Sequence, residues 1–224
     1  MRVNLARRAE IGSAKRARTR AVILDAARQC YAAGPVTVDA VMQAAGLAKG
    51  TFYVHFEDRA ELEAELAETL IAELDERLQP ARLAASDPLT RIATAVTILL
   101  HSLAAEPSSA RLAARATPNI QGVSQAVYAR LREDLATARK AGRLALSSIN
   151  LAARLVTAMG LQAAEDLGRG RIDARAIPDI VCAILRALGC APDDAAARSA
   201  EAAHNADNFA HQFAAAGEAD LPGG

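Results

Sequence analysis

The chain has 224 residues, room for one large domain or a small one plus a medium one, and it is 52% hydrophobic with only 3% aromatic residues. Formal net charge is zero, yet residues 1–60 hold 10 Lys/Arg against 5 Asp/Glu and the remainder holds 16 against 21. Much of the apolar content is alanine and β-branched runs are scarce, so the fold class expected is all-α, with about nine or ten helices, rather than a sheet protein.

The charge asymmetry points to a polyanion-binding N-terminal part and a second part with a different task. No stretch approaches the roughly 18 unbroken apolar residues of a membrane span, and the charged N-terminus has no apolar signal core, so a cytoplasmic location is expected. Cys30, Cys182 and Cys190 form no CxxC pair, which argues for small buried residues rather than a disulfide framework or a zinc site.

Residues 1–17 are basic without a clean apolar period and read as a flexible arm. A first helix is predicted from about Thr19 to Ala33, with Ile23, Ala27 and Cys30 on one side, closed by Gly34-Pro35. Thr37 caps a second helix over Val38 to Ala45, and Gly46 supplies the left-handed residue of a tight turn. A third helix begins at Lys49 and reaches about His55. Phe52 and Phe56, four apart, both point into a small core. Two short helices joined by a tight turn and followed by an aromatic cluster with cationic edges have the layout of a helix-turn-helix.

A long fourth helix is predicted from Arg59 to Leu78, stopped by Pro80. Asp87-Pro88 opens a fifth that ends near Pro107. A short helix fits 108–116, another fits 120–141 with Val123 and Val127 on its stripe, and two more fit 148–167 and 176–188. The last pair is unusually apolar for outer helices, which suggests burial against a partner chain. Residues 191–224 are an Ala-rich tail, helical to about Ala216 with Phe209 and Phe213 as anchors, then disordered.

Residues 18–62 contain an Ile-Leu-x-Ala-Ala helix, Gly34, Thr37-Val38, Ala45-Gly46, Gly50-Thr51-Phe52-Tyr53-x-His55-Phe56 and Leu62, in that order. This segment resembles the TetR family of one-component transcriptional regulators. The resemblance implies a DNA-binding head over residues 18–60 and a helical effector-binding and dimerisation domain over 61–190. The implied protein is a homodimeric repressor, released from a palindromic operator by a small-molecule effector. It would be no enzyme and need no cofactor.

The residues support those roles individually. Lys49, Gly50 and Thr51 begin the third helix, where a recognition helix meets base edges: Lys49 can donate to guanine, Thr51 can hydrogen-bond or touch a thymine methyl, and Gly50 allows close approach. Val54, one turn on, offers only apolar contact. Tyr53 and His55 lie off the Phe52/Phe56 side and face the sugar-phosphate walls. Thr37 can offer a hydroxyl and helix-terminal N–H groups to a phosphate. Arg59, standing where the family usually has lysine, and Arg18 add phosphate contacts.

For the effector, His101, Arg115, Tyr128, Met159 and Gln162 are the polar, aromatic or adaptable candidates. Tyr128 is the only aromatic residue between 57 and 208, so an aliphatic or small effector is expected rather than a flat aromatic one. For the dimer, Leu155, Met159, Ile177, Ile180, Val181, Ile184 and Leu188 are the candidates, forming a four-helix bundle with their symmetry mates. His204 and His211 share a helical face with Asp207 but lack a third strong ligand, so no metal site is expected. Two other readings remain: an enzyme-like helical bundle, disfavoured because nucleophile-elbow, phosphate-loop and HExxH motifs are missing, and a helical interaction module that never touches DNA.

Overall fold

A computed structural model describes residues 2–33, 36–113 and 125–219, and every regular element among them is helical. The helices are α1 (Arg2–Ala33), α2 (Val38–Ala44), α3 (Lys49–His55), α4 (Arg59–Ala84), α5 (Pro88–Ala105), α6 (Pro107–Ala113), α7 (Gln125–Lys140), α8 (Ile149–Gly168), α9 (Ile177–Ala187) and α10 (Pro192–Ala219), with a short 3-10 turn at Ala174–Ala176. The chain divides into two compact units, Met1–Leu66 and Ala67–Gly224. Gly34-Pro35, Arg115, Val123, the side chain of Phe213 and the last five residues lie outside the described residues.

The caps account for where several helices begin. Thr37 sits in extended backbone, and its Oγ1 accepts from the Ala40 N–H at 3.2 Å. Asp87 Oδ1 accepts from the Leu89 and Thr90 N–H groups at 2.9 and 3.1 Å, with Pro88 in the first turn where no N–H is needed. Ser148 Oγ accepts from Leu151 N–H at 3.2 Å. Gly46, at φ 66, makes the turn between α2 and α3.

Two boundaries differ from those expected. The basic segment 1–17, expected to be a flexible arm, is continuous with α1. It is rich in Ala and Arg and free of proline, so intrinsic propensity carries the helix although residues 10–18 bury nothing. Pro80 does not stop α4, which runs on to Ala84. Proline removes one backbone bond, but tertiary contacts hold the following turn: Arg82 is buried and paired with Asp134 of α7, and its Nε donates to Gln79 Oε1 at 3.0 Å.

In the first unit Ile23, Ala27, Val41, Met42, Phe52, Phe56 and Leu62 form a fully buried core. Phe52 and Phe56 stack with centroids 5.4 Å apart, and truncating either to alanine should cost about 3–5 kcal/mol. In the second unit α5 is the central helix. By length and a mean hydropathy of 1.3 it could cross a membrane, but half of it is buried inside the fold and it carries Arg91, so it reads as a core helix. α10 packs along it: Leu78, Ile98 and Ala206 share a core on which Phe209 rests, and Asn205 donates to Thr94 Oγ1 at 3.2 Å.

Candidate nucleic-acid interface and ligand cavity

The first unit turns one face of α3 to solvent. Lys49 and Gly50 are exposed, Tyr53 is 58% and Val54 67% exposed, while Phe52 between them is fully buried. Thr51 and His55 are half-buried at the edges of this face, and Thr37, Arg18 and Arg59 are exposed. A seven-residue helix that buries one phenylalanine and presents a tyrosine, a valine and a lysine outward has an interface's composition.

Three interactions hold this face, and the sequence reading did not contain them. Lys49 Nζ lies 2.9 Å from Asp39 Oδ1 of α2, and this carboxylate raises the lysine pKa. Arg59 donates to the Val36 carbonyl at 3.0 Å and pairs with Glu63 at 3.2 Å, so it ties α4 to the start of α2 while half-exposed. Arg20 of α1 donates to Glu65 at 3.0 and 3.1 Å, to Glu61 at 3.1 Å and to the His55 carbonyl, and lies 4.1 Å over the Phe56 ring. The two glutamates raise the Arg20 pKa, Glu65 foremost. Arg20 is thus a brace rather than a free cation.

The second unit forms a partly open cavity of about 110 Å³ between α4, α5, α7 and α8, with one residue from α6. Its walls are mostly aliphatic, with Leu99, Leu103, Leu131, Val156 and Leu161 among them. Its polar lining is Asp75, Arg82, Arg130, Asp134 and Thr157. Arg82 is paired with Asp134, which also has Arg91 at 3.6 Å. Arg130 Nη2 lies 2.7 Å from Asp75 and also meets Glu76, and Gln79 donates to Asp75 Oδ2 at 3.0 Å. Burial pushes both Asp75 and Asp134 above the usual carboxylate range, and the arginines only partly offset it. Arg130 Nε is buried and has no hydrogen-bond partner among the described residues.

Residues 23–66 match the family of bacterial regulatory proteins, tetR family. The match lies within the first unit. Solved structures with the same fold include RolR in complex with resorcinol, 22% identical over 84% of this chain and 95% of that one, with a TM-score of 0.65. FadR from Bacillus subtilis in complex with stearoyl-CoA is 17% identical over 75% of this chain and 96% of that one, at 0.52. A TetR transcriptional regulator from Rhodococcus sp. RHA1 is 21% identical over 76% and 94%, at 0.53. No curated protein matches the chain by sequence.

Of the head residues expected at DNA, Lys49, Gly50, Thr51, Tyr53, Val54 and His55 are on α3, Thr37 caps α2, Arg59 begins α4 and Arg18 is on α1. The effector candidates do not gather. His101 and Gln162 are exposed, Tyr128 and Met159 are half-buried, and none of the four lines the cavity. Helix phase is the reason: Leu100 and Leu103 of α5 and Gly160 and Leu161 of α8 face the cavity, which turns His101 and Gln162 outward. The dimer candidates split as well. Ile177, Val181, Ile184 and Leu188 are buried within their own chain, because α9 packs its apolar side on α5, α8 and α10. Leu155, Met159 and Ile180 remain partly exposed, beside Leu151, which is 47% exposed.

Proposed function

We propose that the chain is a sequence-specific, homodimeric transcriptional repressor that a small-molecule effector releases from a palindromic operator in the cytoplasm. The observation carrying this reading is the outward face of α3, where Lys49, Gly50, Tyr53 and Val54 are exposed over a core of buried phenylalanines. Lys49, Gly50, Thr51 and Val54 would meet base edges; Thr37, Tyr53, His55, Arg59 and Arg18 would fix the head on phosphates. The DNA-binding head matched by the family, together with fold neighbours solved with resorcinol and stearoyl-CoA, supports a ligand-responsive regulator.

Dimerisation would use the parts of α8 and α9 left open by their own chain: Leu151, Leu155 and Met159 with Ile180, and the small exposed residues Ala158 and Ala183 between them. Two-fold pairing places two recognition helices on successive turns of the major groove. The cavity would receive the effector in place of the residues first expected. α4 supplies Glu61 and Glu65 to the Arg20 brace and Asp75, Leu78 and Arg82 to the cavity wall. A ligand that favours one position of α4 would shift the population of DNA-competent dimers.

Selection of binding sites from random duplex DNA, followed by gel shift at moderate salt, tests the reading. A palindromic site bound by a dimer is expected. Uniform binding to all sequences, or none, would refute it.

A further inference from the structure

We infer that the cavity of the second unit takes an uncharged, ring-sized, mainly hydrocarbon molecule bearing one acceptor oxygen, which receives the buried N–H of Arg130. This rests on the effector-binding reading and specifies the ligand class.

Size sets the first limit. A cavity of about 110 Å³ is somewhat smaller than the roughly 150 Å³ engineered cavity that accommodates benzene. A molecule of roughly six to eight heavy atoms fills it.

Charge sets the second. The polar lining comprises two carboxylates, two guanidinium groups and one hydroxyl, already matched as Asp75 with Arg130 and Asp134 with Arg82. A charged ligand would enter a balanced apolar site with no counter-charge, losing its hydration without a paired replacement. Burial of Asp75 and Asp134 raises both carboxyls, in the same direction as a wall that disfavours charge. A neutral ligand meets no such penalty.

The orphan donor sets the third. Among the described residues Arg130 Nε is the buried side-chain polar atom left without a hydrogen-bond partner. Its neighbours on the same face of α7, Val127, Leu131 and Asp134, line the cavity too. A carbonyl or hydroxyl oxygen would satisfy this donor, which the aliphatic walls cannot do.

Gly160 makes the site testable without disturbing the core. It lines the cavity on α8, and a Cβ added there meets nothing within 4 Å. Gly160→Leu therefore adds bulk at the cavity wall with no clash at its Cβ.

Isothermal titration of the full chain with cyclohexanone, methylenecyclohexane, cyclohexanecarboxylate and cyclohexylamine is the test, with circular dichroism confirming each variant's fold. The ketone should bind roughly tenfold more tightly than its hydrocarbon isostere, and the two ions not measurably. Arg130→Lys keeps the charge facing Asp75 but lacks the Nε–H, so it should reduce ketone binding to the hydrocarbon's level; Gly160→Leu should abolish binding of both. Failure of the ketone to bind at millimolar concentration, equal or tighter binding of either ion, or unchanged ketone binding by Arg130→Lys would overturn the inference. Fluorescence anisotropy on the selected operator is read separately. A ketone that binds the cavity without releasing DNA upholds the ligand class and overturns the effector reading.

Discussion

The ammonium of Lys49, at the start of α3, lies 2.9 Å from the carboxylate of Asp39 on the preceding helix. The lysine proposed to meet guanine is therefore already engaged by an acid of its own head. Both side chains are mostly exposed, so the pair is loose and DNA can displace it. Asp39→Asn should strengthen operator binding roughly two- to fivefold, because Lys49 no longer exchanges one partner for another. Anisotropy titrations at two salt concentrations measure this. Weaker binding by the variant would show that Asp39 instead positions the lysine productively.

Arg20 and Arg18 should separate stability from DNA binding. Arg20 is fixed by two glutamates, a backbone carbonyl and an aromatic face, whereas Arg18 is exposed. Arg20→Ala should destabilise the head by about 1–3 kcal/mol, discounted toward the lower end because the side chain is partly solvated. Arg18→Ala should leave the melting temperature unchanged and reduce affinity evenly across DNA sequences. Thermal unfolding beside binding assays decides the matter; equal Tm losses in both variants would contradict it.

The head was legible because its signals are local. The spacing of Phe52 and Phe56, the Thr37 cap and Gly46 act within a few residues of one another, and each fixes a face without reference to the rest of the chain. The cavity was not legible. Asp75, Arg82, Arg130 and Asp134 look like ordinary charges on amphipathic helices, and only the ion pairs joining α4 to α7 bring them together at the cavity wall. His101 and Gln162 attracted attention by residue type, yet one helical position separates each from a true lining residue. The wide apolar side of α9 was equally ambiguous, since a partner chain and the chain's own α5 and α10 make the same demand on sequence.

Two glycines of α8 should respond in opposite ways to the same substitution. Gly160→Ala adds a methyl group where nothing lies within 4 Å, so it should stabilise the second unit by about 0.5–1 kcal/mol through helix propensity. At Gly168 the same methyl would lie 2.8 Å from the Arg111 backbone nitrogen and 3.0 Å from Ala110 Cβ, forcing α6 away. Gly168→Ala should cost about 1–3 kcal/mol. Urea denaturation compares them, and a stabilised Gly168→Ala would show that α6 is not held as described.

The two buried carboxyls predict an unusual response to acid. Burial raises Asp75 and Asp134 above their ordinary range. Between the unfolded and the raised folded values, the folded state holds more protons, so the stability contributed is full below the ordinary carboxylate value and lost as pH rises through the folded one. Asp75→Asn removes one such group. The melting temperature of the native chain minus that of the variant should therefore grow as pH is lowered from about 7 to about 4. A difference that shrinks over this interval would mean the arginines dominate burial.

Leu151→Glu tests the open face of α8. The side chain is 47% exposed, so a glutamate costs the single chain little. Sedimentation equilibrium should show a folded monomer, with operator affinity reduced at least roughly tenfold by the loss of two-headed binding. A dimer of unchanged stability would move the interface elsewhere.

Val54 is two-thirds exposed on the outward face of α3, yet it brings no charge and displaces no counter-ion. Seating it against a thymine methyl would add a component of binding that high salt does not remove, accompanied by a negative heat-capacity change. Calorimetry across temperature would then distinguish the valine's share of recognition from that of the surrounding cations.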